Sequence, residues 1–158
     1  MHPRAEEFTA RAADEYDLDV EVKEFSDGTE TAAAAADAIG CEVDQIASSL
    51  VFEVGGDPVV AVTSGANRVS ERRLAEHFGV DGDAVTMADP GTIRESLGWS
   101  IGGVPPLCHD ADLAVVFDPH LTEYETVWAA AGTPDAVWPV DPERLRRLAD
   151  ATVADVTE

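Results

Sequence analysis

The segment between Trp99 and His109 carries the most unusual backbone chemistry in the sequence, because Gly102-Gly103 and Pro105-Pro106 lie almost side by side in it. Neither a helix nor a central strand accommodates that combination, so the segment must be a shaped loop. Glycines let backbone N–H groups come close to a ligand or an oxyanion, and prolines fix the flanking backbone before a ligand arrives. The chemistry this suits is stabilisation of the negative charge that develops on a carbonyl under attack; a plain surface turn would use the same residues. His109 follows the loop, with a pKa range suited to activating water, although a partly exposed structural histidine fits the same position. Ser48 and Ser49 offer hydroxyls, but no G-x-S-x-G elbow surrounds them and no acid–histidine pair is placed by the sequence, which argues against a serine nucleophile. Cys41 and Cys108 have no second cysteine or histidine at metal-ligand spacing, and adjacent Cys108-His109 is poor geometry for a shared ion. No metal site and no disulfide framework is expected.

The elements that must position this loop are legible from periodicity and caps. Ala5, Phe8, Ala12, Ala13 and Tyr16 recur at helical spacing from His2 to Tyr16. Val20 to Phe25 alternates as a strand does, Ser26 to Thr29 reads as a turn, and Thr31 to Ile39 is an alanine-rich helix closed by Gly40. Gln45 to Val54 and Pro58 to Thr63 are apolar runs joined by Gly55-Gly56-Asp57 and read as paired central strands. Ser70 caps a helix ending near Phe78 before Gly79, Ala84 to Met87 is a short strand, and Asp89-Pro90 opens a helix that Gly98 ends. Leu113 to Phe117 is a strand, Thr126–Ala131 and Ala136–Val140 flank a Gly132–Asp135 turn, and Asp141-Pro142 starts a last helix through Ala149. Strands joined by short turns predict a single α/β domain with a mixed, largely antiparallel sheet and flanking helices.

Several side chains admit two readings at this point. Thr31 offers a hydroxyl to a pocket or, like Thr29, a helix cap. Ser64 and Asn67 sit beside Gly65 in a polar loop, where a turn role and ligand contact use the same atoms. Trp128 and Trp138 lie in alternating strands and read as sheet packing, which leaves Trp99, at the start of the loop, as the indole to stack on a terminal base.

The bulk composition narrows the partners. Acidic residues number 32 against 10 basic ones, the formal charge is -22, and Lys23 is the only lysine in 158 residues. The acids are dispersed among apolar residues, which describes a solvated surface and not a disordered tail. No basic face is visible, which excludes generic binding to DNA or RNA through phosphates. Self-repulsion of this size is best tolerated at high salt, where the Debye length falls to about 3 Å at 1 M, so a salt-loving host is expected. No run of eighteen apolar residues exists, and Met1 to Asp17 mixes Arg4, Glu6, Glu7, Arg11 and Asp14 with apolar residues, so a soluble cytoplasmic protein without membrane attachment is expected.

Four stretches in order, Thr31-Ala32-Ala33, Gln45 to Phe52, Ser64-Gly65-Ala66-Asn67-Arg68-Val69 and Ile101-Gly102-Gly103-Val104-Pro105-Pro106, followed by Trp128 to Pro134, resemble the YbaK / prolyl-tRNA-synthetase-associated editing family over residues about 5 to 150. The resemblance implies a compact α/β fold and hydrolysis, in trans, of the ester of mischarged aminoacyl-tRNA, notably tRNA for proline carrying alanine or cysteine. It implies no metal or nucleotide cofactor, and a prolyl-tRNA synthetase as a further partner. The family's G-x-x-x-P signature falls on Gly102 and Pro106 and surrounds the aminoacyl ester, which implies catalytic roles for Gly102 and Gly103 and substrate contact for Val104, Pro105 and Pro106. Thr31, where a family threonine stands, joins the implied substrate-binding set, and Ser64, Asn67 and His109 are added to it from their places in the sequence beside these stretches. Many active members carry a lysine before the Ser-Leu-Val run; here that position is Ser48. Ser48 is counted with Gly102 and Gly103 in the catalytic set; because a serine offers only a neutral hydrogen bond there, the alternative is a non-catalytic module that binds aminoacyl-tRNA or an amino acid.

Overall fold

A helix that begins with a histidine cap and ends in a left-handed aspartate sets the back wall of the molecule. In the computed structural model, which describes residues 2–25 and 31–158, α1 (Pro3–Tyr16) is capped by His2, whose side chain accepts from Arg4 N–H, and closes at Asp17 with φ of 52°. Its apolar stripe buries Ala5, Phe8 and Ala12 completely. Phe8 is wedged between Trp99 and Trp138, with ring centroids 6.2 and 5.5 Å away, contacts that add about 0.5–1.5 kcal/mol each beyond area burial. The helix therefore braces the base of the glycine–proline loop.

The expected strand from Val20 to Phe25 shortens to β1 (Lys23–Glu24), because Val20 turns into the core instead of pairing. The turn expected over 26–29, and with it Thr29, lies outside the described residues. The alanine helix α2 (Ala32–Ile39) follows, then the hairpin β2 (Ile46–Val54) and β3 (Asp57–Ser64), α3 (Glu71–Phe78), β4 (Val85–Met87) and α4 (Pro90–Leu97). After the loop come β5 (Ala114–Phe117), β6 (Val127–Ala130), β7 (Ala136–Val140), α5 (Pro142–Leu148) and β8 (Thr152–Val153).

The strands form one mixed sheet in the order β1-β7-β6-β2-β3-β5-β8, with β4 on the second edge of β2. Pairing is antiparallel for β1–β7, β6–β7, β2–β3 and β2–β4, and parallel for β2–β6, β3–β5 and β5–β8. One face carries Ala47, Val51, Val60, Val62, Ala129 and Trp138 and buries them against α1 and the loop residues Trp99, Val104 and Leu107. The opposite face is covered by two separate helices. Ala35 and Ala36 of α2 pack on Ile46 and Trp128, and Leu74 and Ala75 of α3 pack on Phe52, Val59 and Ala61. The small alanine side chains let α2 lie close to the sheet, a consequence of composition that shapes the site below.

The surface shows why salt should matter. Described ion pairs such as Arg4–Glu7, Arg11–Glu15 and Arg146–Glu143 are solvent-accessible contacts of 2.6–2.7 Å that contribute little each. They leave most of the 32 acids without a cation. The melting temperature is expected to rise on the order of 10 °C between 0.1 and 2 M KCl at neutral pH as screening relieves the repulsion. Thermal melts followed by circular dichroism across that range check this, and a flat profile would remove the halophile argument.

Candidate functional site

The register of the β2–β3 hairpin creates a notch in the sheet. The two-residue turn at Gly55-Gly56 pairs Val54 with Asp57, and the register runs without a bulge to Ala47 opposite Ser64. Hydrogen-bonded rungs alternate in an antiparallel pair, so the even-numbered residues exchange with β3 while Glu53, Val51 and Ser49 turn their backbone groups to the other edge. Two contacts agree: Gly65 N–H donates to Ile46 O at 2.8 Å on the β3 side, and Ala88 N–H donates to Val51 O at 3.0 Å on the other. On that other edge β6 pairs only at Ile46 and Ala47, and β4 only from Phe52 to Val54. Between them no described strand covers Ser49, whose N–H and C=O face the opening. Its Oγ is buried and has no hydrogen-bond partner within the described residues.

Above this notch lies a cleft of about 220 Å³. α2 contributes Ala32, Ala35 and the cap residue Thr31; the sheet contributes Ile46 to Val51, Trp128, Ala130 and Val137. The loop closes it with Ile101, Gly102 and Val104, helped by Pro134, Ile93 and Met87. Among the described residues no ionisable side chain lines it. Met87 and Ile101 are 55% and 56% exposed and form an apolar lip, where most large apolar side chains of the chain are inside.

The loop is held from behind. Gly102 adopts φ of 87° and a Cβ there would lie 3.3 Å from Pro134 Cγ. Gly103 packs so closely on Thr133 that a Cβ would sit 2.7 Å from its Cα, and its N–H already donates to Ser100 O at 3.0 Å. His109 Nε2 lies 2.8 Å from Pro105 O; a carbonyl only accepts, so Nε2 carries a proton and donates. Burial holds the His109 pKa below its ordinary value, so the neutral ring is a brace. Trp99 Nε1 donates to Cys108 O at 2.8 Å, and the Cys108 thiol is pushed by burial up to about 12, an inert group.

The family model for the aminoacyl-tRNA editing domain matches residues 26–148. The chain belongs to that family. It is 31% identical over 136 residues to the uncharacterised protein YwhH of Bacillus subtilis (strain 168), covering 84% of this chain and 83% of that protein. It is 27% identical over 88 residues to the proline–tRNA ligase of Lactiplantibacillus plantarum, covering 56% of this chain and 15% of the ligase. A solved structure proposed to be a trans-editing enzyme for prolyl tRNA synthetase superposes with a TM-score of 0.93 at 35% identity, covering 100% of this chain and 99% of that one.

Within this editing domain the sequence-selected residues separate into two groups. Thr31, Ser48, Gly102 and Val104 line the cleft together. Gly103, Pro105, Pro106 and His109 do not; Pro106 and His109 line a different depression with Tyr16 and Asp110, behind the loop. Thr31 also caps α2, its Oγ1 accepting from Ala34 N–H at 3.1 Å, so the cap reading holds and the same residue lines the cleft. Ser64 and Asn67 lie elsewhere: Ser64 N–H and Asn67 Nδ2 both donate to Asp118 Oδ2, at 3.1 and 2.9 Å, and Ser64 Oγ donates to Asp44 O. The expectation for the tryptophans is corrected. Trp99 is 0% exposed and cannot stack on a base, whereas half-buried Trp128 stands on the cleft wall. The sequence reading set Ser49 aside as a nucleophile, assigned Trp128 to sheet packing and gave Met87 no role, because only the pairing on the second edge of β2 brings them to one cleft.

Beside the Asp118 network, His120 ties two turns of this editing domain. Its Nε2 lies 2.7 Å from Asp44 Oδ2 and its Nδ1 2.7 Å from Glu123 Oε2, so both ring nitrogens find acceptors only when the ring is protonated. The hydrogen bond to Asp44 and then that to Glu123 raise the His120 pKa, and the same contact lowers that of Asp44; Tyr124 packs edge-on against the ring. The sign follows from linkage: the contribution is fully present below the unfolded value of about 6.5 and is lost as pH rises through the higher folded value. His120→Gln is expected to lower the melting temperature more at pH 6 than at pH 9. An equal loss at both pH values would contradict the charged clamp.

Proposed function

We propose that the cleft hydrolyses, in trans, the ester joining a small amino acid to the 3′ end of tRNA, with tRNA for proline carrying alanine or cysteine as the substrate class. The observation that carries this reading is the pairing of an uncovered β2 edge, including the orphaned Ser49 hydroxyl, with a glycine-containing loop across an apolar space. A buried polar atom without a partner costs about 1–3 kcal/mol, and a ligand carbonyl, ammonium or water entering the cleft relieves it. The volume of about 220 Å³ lies below the range for drug-sized ligands, which fits a small amino acid.

In this reading Ser49 N–H and the backbone of Gly102 and Val104 receive the ester carbonyl, and Gly103, whose N–H is committed, shapes the loop. Water forms the new C–O bond, the bond to the ribose oxygen breaks, and that oxygen takes up a proton. With no ionisable side chain among the described residues of the cleft wall, the proton of the attacking water leaves to the substrate's own groups or to solvent. Removing one donor placed this way costs about 10²–10³ in rate in a serine protease. Fidelity of translation and a synthetase partner follow from the same reading.

Incubation in molar KCl with tRNA for proline bearing alanine, cysteine or proline tests it. Release of alanine or cysteine well above background, with prolyl-tRNA spared, is the expected result; equal background release from all three sinks the reading. Ser48 and the uncharged cleft favour one alternative, a binding module without turnover. Tight binding of a non-hydrolysable aminoacyl-adenosine analogue, with no hydrolysis of the matching ester, would select it.

A further inference from the structure

The sole lysine of the chain stands on the face of the sheet that forms one cleft wall. Lys23 pairs with Val137 in the β1–β7 register, and Val137 pairs with Ala130 in β6–β7. Side chains opposite one another across a sheet share a face, and so do residues two apart along a strand. Lys23, Val137, Ala130 and Trp128 therefore project to the same side, and the last three line the cleft. Strand spacing puts Lys23 about 10 Å from Ala130 between backbones, a gap that a lysine side chain narrows toward the opening.

The ammonium is also placed. Lys23 Nζ lies 5.8 Å from the centre of the Trp128 ring, within the range of a cation–π contact, and that indole is half-buried on the cleft wall. In a chain with 32 acids, Lys23 makes no ion pair among the described residues, as Arg94, Arg144 and Arg147 make none, whereas the other six arginines each do; what sets Lys23 apart is its place beside the cleft. A cation held on an aromatic face next to an uncharged cleft, with no acid paired to it among the described residues, is available to an anion that arrives with a ligand.

We propose that Lys23, positioned by Trp128, docks a phosphate of the RNA 3′ end whose esterified terminus enters the cleft. This rests on the editing reading for the identity of the ligand, and it adds the contact that draws a polyanion to an acidic protein at one point. Phosphate contacts position a nucleic acid without reading its sequence, so Lys23 sets affinity and alignment and leaves the choice of amino acid to the cleft.

The probes are the trinucleotide 5′-CCA-3′, which carries phosphates, and adenosine, which carries none. Each is titrated by tryptophan fluorescence at the lowest KCl concentration at which wild type is folded. Trp99 and Trp138 are buried, so quenching reports Trp128. Lys23→Ala is expected to weaken the trinucleotide about fivefold, roughly 1 kcal/mol, and to leave adenosine unchanged, with Lys23→Arg close to wild type. In turnover, Lys23→Ala should raise KM for charged tRNA and leave kcat in place, and an aminoacyl-adenosine ester without phosphate should not distinguish the variants. Unchanged trinucleotide affinity in Lys23→Ala, or an equal loss for adenosine, overturns the proposal. Lys23-dependent trinucleotide binding without any turnover keeps this contact and rejects hydrolysis, so the two readings fail separately.

Discussion

Gly102→Ala is expected to remove at least about nine-tenths of the ester hydrolysis while leaving a folded protein. The backbone at Gly102 is left-handed, with φ of 87°, a conformation that costs a residue with a Cβ about 1–2 kcal/mol. The added Cβ would also press on Pro134 Cγ at 3.3 Å. Both strains relax by moving the loop, and Gly102 and Val104 line the cleft with Ser49, so displacement falls on the groups proposed to receive the carbonyl. A misplacement near 1 Å costs about 10²-fold in rate where orientation carries catalysis, but only a few degrees in melting temperature for a chain of this size. Steady-state deacylation alongside a thermal melt separates the two. Gly82→Ala supplies the control, since nothing lies within 4 Å of a Cβ there and its φ is not positive. Full activity in a folded Gly102→Ala variant would show that the site is misplaced.

The readable parts of this fold were those whose chemistry is local. Thr31, Ser70, Asp89 and Asp141 each accept from a backbone N–H three residues on, at 2.9–3.2 Å, and Gly40, Gly79 and Gly98 end their helices in the left-handed region. A cap needs only a short polar side chain before a periodic run, so sequence shows it. The hairpin at Gly55-Gly56 was legible for the same reason. The mixed character of the sheet followed from turn lengths, but β8 did not, because two exposed residues, Thr152 and Val153, carry no alternation to read.

The candidate site was legible only where one segment supplied it. Gly102 announced a loop, yet that loop's opposite wall depends on β6 and β4 stopping short of Ser49 from opposite ends of β2, a fact of long-range register. The tryptophans exchanged places for a similar reason. Trp99 begins the loop in sequence, but α1 returns to bury it beneath Arg4, whose guanidinium lies 4.3 Å over the ring, while Trp128 is left at the gap beside α2. Ser64 and Asn67 look like ligand contacts in a polar loop, and their acceptor turned out to be Asp118, from more than fifty residues later in the chain.

Ser48→Lys is expected to raise deacylation about tenfold, an amount equal to roughly 1.4 kcal/mol of transition-state stabilisation. Ser48 is two residues from Ile46, which pairs with Trp128, so the new side chain projects on the sheet face shared with Lys23 and lines the same cleft. A charge-assisted hydrogen bond is roughly twice as strong as the neutral one serine offers, and it acts on charge that develops only during attack, so the gain should appear in kcat. Lys23, by contrast, is proposed to act on a phosphate away from the reacting carbon and should appear in KM. The double variant Lys23→Ala with Ser48→Lys distinguishes the two cations. Independent roles predict that kcat stays raised while KM stays weakened, with free energies that add. If the Ser48→Lys change instead restores KM, the two ammonium groups serve one phosphate. A folded Ser48→Lys protein slower than wild type would mean that the backbone around Ser49 and Gly102 carries the reaction and that the uncharged wall is part of how it does so.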